Sequence, residues 1–196
     1  MKITLPNAVT LLRIALIPVL FIVFWLPFSW SKPACALIFA IAAITDWIDG
    51  YLARKLDQNS AFGAFLDPVA DKLMVITALI LIQVAYQQSI HFHPIWMAIP
   101  VSIIIGREIV ISALREWMAE VGKGATVKVS ELGKYKTGFQ MFAIGFLLWQ
   151  HDIWFLKIYL FGYVLLLIAA ALTVLSMLIY LRAAWPHINV VDVDQE

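Results

Sequence analysis

Six mostly apolar stretches run along the chain, at roughly 8–29, 34–55, 63–87, 94–117, 134–150 and 153–182. Each is close to the ~20 residues an α-helix needs to cross a bilayer. A backbone in hydrocarbon must satisfy its own hydrogen bonds, so segments of this length and apolarity are predicted to be helices. The pattern therefore predicts an all-α, polytopic membrane protein. Six transmembrane helices would use most of residues 1–196, with short loops, one domain, and an acidic, solvated tail over 187–196. The first stretch reads as a span and not as a cleaved signal peptide. It is long, carries Arg13 and shows no small-residue cleavage site before the next span.

Composition sharpens this picture. Apolar residues make up 63% of the chain and charged residues 14%, against about 25% charged in an ordinary soluble domain. A water-soluble fold of this size buries only ~70% of its surface and could not hide so much apolar area. A soluble enzyme, a disordered chain and a nucleic-acid-binding domain are thereby excluded. The lone cysteine, Cys35, cannot form an intrachain disulfide.

The net charge of +1 is uninformative, but the placement of the charges is not. Of the 14 lysines and arginines, only Lys32 and Lys157 fall in the loops around 30–33, 88–94 and 150–157. The others fall on the opposite side if there are six spans, which predicts both termini in the cytosol. Trp30, Trp96, Trp149 and Trp154 lie near the outer helix ends, and Trp47, Trp117 and Trp185 near the inner ends. These are the two aromatic belts of a membrane protein. The expected location is a bacterial cytoplasmic (inner) membrane.

Ionisable groups within spans are costly and point by default to function. Arg13 falls early in the first span. Asp46 and Asp49 fall late in the second, and Asp67, Asp71 and Lys72 open the third. Arg107, Glu108, Arg115 and Glu116 close the fourth, and Lys134 and Lys136 open the fifth. With alternating direction all of them map to the cytosolic half, which predicts one polar cavity open to the cytosol. For Lys72, Glu116, Glu120 and Lys123, snorkelling at a helix end is the plainer explanation. Aspartate is too short to snorkel.

The four aspartates are the centre of this pattern. Asp46 and Asp49 are spaced i,i+3, and Asp67 and Asp71 i,i+4, so each pair shares a helix face. A short loop joins the two helices, which places the pairs at similar depth. Gly50, Ala53, Gly63, Ala64 and Ala70 are small enough to allow close backbone approach. Converging carboxylates with no nearby His or Cys call for hard cations, Mg²⁺, Mn²⁺ or Ca²⁺, and not zinc. Four carboxylates suit two ions, the arrangement that clamps the attacking and leaving oxygens of phosphoryl transfer. His91, His93, His151 and His187 sit in outer loops or the tail and carry no metal role.

The stretch from Asp46 to Asp71 reads D-x-x-D-G-x-x-A-R-x(8)-G-x-x-x-D-x-x-x-D. It resembles the signature of the CDP-alcohol phosphatidyltransferases, with every fixed position matched. That family consists of six-helix membrane enzymes. The resemblance implies two divalent cations, Mg²⁺ or Mn²⁺, bound by Asp46, Asp49 and Asp67 with Asp71 as a shared ligand. Asp71 would also be the general base for the acceptor hydroxyl. Gly50, Ala53, Arg54 and Gly63 would line the site of the CDP-activated lipid. A homodimer through the helices near the third and fourth is also implied.

Arg107, Arg115, Lys134 and Lys136 form a second cluster at the inner ends of the fourth and fifth helices. Arginine gives bidentate phosphate contacts and lysine a point charge, so an acceptor with its own phosphate fits. The alternative is that these cations balance Glu108, Glu116 and Glu131 or touch anionic lipid heads. The runs Gly106–Glu120, Gly133–Thr137 and Leu5–Arg13 resemble the branch of the family that joins CDP-diacylglycerol to sn-glycerol 3-phosphate. In that branch Asn7, Thr10 and Arg13 would form a polar stripe facing nucleotide or phosphates, although Asn7 or Thr10 reads equally as a helix N-cap. The expected partners are those two substrates and membrane lipid, with no nucleic acid. Two other readings compete: a sibling transferase with phosphatidylglycerol, inositol phosphate or serine as acceptor, and a divalent-cation transporter. The transporter would need polar residues in the outer halves, which are apolar.

Overall fold

The computed structural model describes residues 5–56, 61–87, 93–120, 131–152 and 157–188. All six elements among these residues are α-helices: α1 Leu5–Phe24, α2 Ser31–Leu56, α3 Ala61–Gln87, α4 Ile95–Glu120, α5 Glu131–Trp149 and α6 Ile158–Ile188. Three stretches among the described residues are long and apolar enough to cross a membrane: Asn7–Phe24, Ile95–Glu120 and Ile158–Arg182. The described residues are thus all-helical outside their short connections, with the helix length and apolarity of a membrane protein.

The helix ends follow local chemistry, and two differ from the expectation. Helix α1 stops at Phe24 and not near residue 29. Leu26 precedes Pro27, and a residue before proline is pushed out of the helical region. The last turn tightens instead, with Trp25 N bonding Ile22 O at 3.1 Å and Leu26 N bonding Val23 O at 3.2 Å. Lys32 then donates to the Phe24 carbonyl at 3.0 Å, satisfying one of the acceptors a helix end leaves over. Helix α6 begins later and ends later than the apolar run suggested, at Ile158 and Ile188. Helix α5 ends as Gln150 adopts a positive φ of 56°, the left-handed geometry that closes many helices.

The core is built from aliphatic side chains and small residues. Leu79, Ile82, Met97, Ile104, Ile144, Leu147 and Leu166 are fully buried among Cys35, Ala42, Ala78, Ala143 and Ala169. The small residues let backbones approach, the usual means of packing helices where lipid is as apolar as the core. Helices α5 and α6 pack most extensively against each other, and α1 lies against both α2 and α3. At Gly162 an added Cβ would lie 3.0 Å from the Phe146 side chain and 3.2 Å from the Leu147 backbone, so the missing side chain lets α5 and α6 cross closely here. Large apolar side chains point outward from the bundle, among them Phe21, Ile22, Leu37, Ile44, Phe142 and Leu160. In water these would be a liability; in a bilayer they are the solvated face.

Candidate active site

Helix α1 carries its polar residues inward. Asn7, Thr10 and Arg13 are all buried, at 4%, 0% and 1% exposure. Their i,i+3,i+6 spacing holds them on one stripe, and the structure turns that stripe onto α2 and α3. Thr10 Oγ1 donates to Asp67 Oδ1. Arg13 Nη1 donates to Asp71 Oδ1 and lies 3.3 Å from Asp46 Oδ1. One guanidinium therefore draws together a carboxylate from α2 and one from α3. A buried arginine would be costly alone, and two neighbouring carboxylates would repel; together they offset each other. Asp46 and Asp71 keep about two-fifths of their side chains exposed, 43% and 40%. Pro68 lies between Asp67 and Asp71 within α3. It has no N–H to offer the carbonyl one turn before it, which loosens the helix where the two aspartates project.

A second group sits on α4 and α5. Glu108 accepts from Lys136 Nζ at 2.6 Å and from Arg107 Nη1 at 3.0 Å. Lys136 is 2% exposed and Arg107 9%. Among the described residues Arg107 Nε has no hydrogen-bond partner, which leaves a buried donor on this wall. Arg115 leans on α6. Its guanidinium carbon lies 5.6 Å from the centre of the Tyr180 ring, and its Nη2 is 3.5 Å from the Tyr180 hydroxyl. Lys72 bonds Ser112 Oγ and ties α3 to α4.

These two groups face one cavity of about 290 Å³. Asp46, Asp71 and Lys72 line it from α2 and α3, Arg107, Glu108 and Arg115 from α4, Lys136, Thr137 and Gln140 from α5, and Tyr180 from α6. The structure thus brings together Asp46, Asp71, Arg107, Arg115 and Lys136. Asp67 is one turn from Asp71 on α3 and is engaged by Thr10. Gly63, at the start of α3, is buried. Asp49, Gly50, Ala53 and Arg54 fall on α2 and Lys134 on α5, but their side chains lie outside the described residues. Trp154, His91 and the tail from residue 189 also lie outside.

Sequence reasoning missed three cavity residues and undervalued a fourth. Lys72 faces the cavity and does more than snorkel. Thr137 directly follows Lys136, and Gln140 is one helical turn beyond it, so the i,i+4 rule offered a signal for Gln140. Tyr180 shares a buried face of α6 with Thr173 and Ser176, so that i,i+3,i+7 spacing offered a signal.

The carboxylate wall offers donors of the kind a hard divalent ion takes. Asp46 and Asp71 converge from two helices on the Arg13 guanidinium, all their donor atoms are oxygens, and among the described residues no His or Cys lines the cavity. Among the described residues no three His, Cys, Asp or Glu side chains form a group tight enough to hold an ion. The Asp49 side chain stands outside that set.

Comparison with known proteins agrees with this geometry. The family model described as CDP-alcohol phosphatidyltransferase matches residues 3–179. The chain is 51% identical over 184 residues to a protein of Salmonella choleraesuis (strain SC-B67) named CDP-diacylglycerol–glycerol-3-phosphate 3-phosphatidyltransferase, covering 94% of this chain and 96% of that one. It is 50% identical, with the same coverage, to proteins of that name from Shigella flexneri serotype 5b (strain 8401) and Escherichia coli (strain K12). Matched along nearly its whole length by the family model and by relatives at about 50% identity, and carrying carboxylates on one wall of its cavity and cations on the other, this chain belongs to the CDP-alcohol phosphatidyltransferase family.

Proposed function

We propose that the protein transfers the phosphatidyl group of CDP-diacylglycerol to sn-glycerol 3-phosphate, releasing CMP and forming phosphatidylglycerol phosphate. The observation that carries this reading is the single cavity shared by Asp46 and Asp71 on one side and Arg107, Arg115 and Lys136 on the other. An acceptor that bears its own phosphate needs such a cationic wall, and a neutral acceptor does not. The names of the similar proteins support the same donor and acceptor.

The site lies at the inner end of six membrane spans, with both termini and the cavity facing the cytosol of a bacterial inner membrane. The cytosolic position suits the chemistry, since CMP and glycerol phosphate are water-soluble while the diacyl tails remain in the bilayer. Asp71 takes the proton from the C1 hydroxyl of glycerol phosphate. That oxygen attacks the lipid-side phosphorus in line, the bond from phosphorus to the CMP oxygen breaks, and CMP leaves with the electron pair. Arg13 orients the Asp71 carboxylate from behind. Asp46, Asp49, Asp67 and Asp71 would hold two divalent ions, Mg²⁺ or Mn²⁺, whose charge would offset that of the pyrophosphate. Gly50, Ala53, Arg54 and Gly63 line the CDP side. Arg107, Arg115, Lys134 and Lys136 hold the acceptor phosphate and so bring its hydroxyl to Asp71. Anchoring of this kind removes much of the entropic barrier to a two-substrate reaction. The protein is further proposed to act as a homodimer.

CMP release from CDP-diacylglycerol tests the acceptor directly. The purified enzyme is expected to release CMP with sn-glycerol 3-phosphate, and not with serine, inositol phosphate or phosphatidylglycerol. Release driven by one of the other three would reassign the protein within its family. Arg115→Ala is expected to raise the KM for glycerol phosphate roughly tenfold, the lower end for a charged hydrogen bond, because Arg115 is itself exposed. The KM for CDP-diacylglycerol should stay within about twofold. Equal changes in both constants would remove Arg115 from the acceptor site.

A further inference from the structure

Gln140 is the feature that the proposed mechanism leaves unused. It lies on α5, lines the shared cavity and is 4% exposed, yet its side-chain oxygen has no hydrogen-bond partner among the described residues. Burying an amide oxygen without a partner costs about 1–3 kcal/mol. Such an orphan in a cavity wall has a ready explanation when a ligand supplies the missing donor.

The chemistry of the neighbours narrows what that donor is. Lys72, Arg107, Arg115 and Lys136 only donate hydrogen bonds, and a phosphate only accepts them. Those groups match the phosphate of the acceptor and say nothing about its hydroxyls. A hydroxyl that is neither attacked nor attacking also needs an acceptor atom. The carboxylates Glu108, Asp46 and Asp71 already hold cations of the protein, whereas the Gln140 oxygen is the acceptor on this wall that no described donor satisfies. Gln140 is an uncharged amide on the cavity wall, and rotation about its terminal torsion presents either the oxygen or the NH₂. It stands one helical turn, ~5.4 Å, from Lys136 along the same face of α5. That rise is comparable to the reach from a phosphate to a hydroxyl two carbons away.

We infer that Gln140 is a specificity-determining residue that accepts a hydrogen bond from the C2 hydroxyl of the glycerol phosphate acceptor. The inference rests on the acceptor assignment above and adds to it. It explains how the site recognises a glycerol, where the cations alone would recognise any phosphorylated alcohol of suitable length. Sites that hydrogen-bond a substrate hydroxyl reject the analogue lacking it, because their own polar group is left unpaired.

The test compares sn-glycerol 3-phosphate with 3-hydroxypropyl phosphate, which lacks only the C2 hydroxyl, in the CMP-release assay on the full-length enzyme in detergent. The wild type is expected to prefer glycerol phosphate in kcat/KM by ~10- to 100-fold, the span of a lost hydrogen bond to a buried amide. Gln140→Met should bring the two acceptors to within about threefold of each other, almost entirely by lowering the value for glycerol phosphate. Gln140→Glu keeps an acceptor oxygen and should retain most of the preference. If the wild type uses both acceptors equally well, the inference falls whatever the variants do. If Gln140→Met lowers both acceptors by the same factor, or Gln140→Glu loses the preference with Gln140→Met, the residue serves packing alone and the inference falls. A wild type that uses neither acceptor but does use a neutral alcohol would instead overturn the acceptor assignment itself.

Discussion

Asp71→Asn should yield a folded protein whose rate of CMP release is lower by ~10³- to 10⁴-fold, the upper range for loss of a general base. The substitution is nearly isosteric, and the amide oxygen can still accept from Arg13 Nη1, which Asp71 now engages. Arg13 also keeps Asp46 at 3.3 Å, so no buried guanidinium is left without a carboxylate. The bundle should therefore survive the change, and circular dichroism and a thermal melt will check that it does. What the asparagine cannot do is take a proton from the acceptor hydroxyl. Binding of CDP-diacylglycerol should change little relative to the loss in turnover. A variant with near-normal turnover would show that another group removes the proton and that Asp71 only helps to build the wall.

Much of this site was legible in the chain because intramembrane charge is so expensive that each charged residue marks a place. Asp46 and Asp71 meet as their helix-face spacing and common depth predicted. Arg107, Arg115 and Lys136 line the same cavity, as their shared depth near the inner helix ends suggested. What depth could not supply was lateral position. Helix α6 is mostly apolar, and only the sparse stripe of Thr173, Ser176 and Tyr180, all buried, marks its inward face. That stripe did not say that Tyr180 would lie under Arg115 on α4. The stripe of Asn7, Thr10 and Arg13 was visible as a stripe, but its partners were not. Asp46, Asp67 and Asp71 need donors wherever they gather, and Thr10 and Arg13 of the stripe supply them. The alternative that the cations balance a carboxylate holds for Glu108, the shared partner of Lys136 and Arg107; which of the neighbouring glutamates would take that place was not legible. Pairing among neighbouring charges depends on rotamers and crossing angles, which residue spacing does not encode. The break of α1 at Phe24 was within reach, because Pro27 stood in the sequence; a run of apolar residues masked it.

Removing divalent cations should have an effect as large as losing Asp71. EDTA is expected to lower CMP release by at least ~10³-fold, since Lewis-acid charge compensation is worth several kcal/mol at a phosphoryl centre. Mg²⁺ or Mn²⁺ should restore it. The donor–acceptor pair brings a pyrophosphate and a second phosphate into one cavity of about 290 Å³. Arg13, fixed behind Asp46 and Asp71, supplies one positive charge where several negative charges assemble. Arg107 and Lys136 are partly neutralised by Glu108 and face the acceptor. A nucleotide pyrophosphate placed against that carboxylate wall is therefore expected to need added cations. A readout that does not involve turnover separates this account from a general salt effect. Ions that bind only the folded state raise its stability by mass action, about 2.7 kcal/mol at a hundredfold excess over Kd. Mg²⁺ should therefore raise the melting temperature of the wild type in a saturable way. Asp46→Asn should melt near the wild-type temperature in EDTA and respond only weakly to added Mg²⁺. Undiminished turnover in EDTA, or a Mg²⁺ shift that survives Asp46→Asn unchanged, would show that the charge balance at this wall is met by the protein's own arginine and lysines.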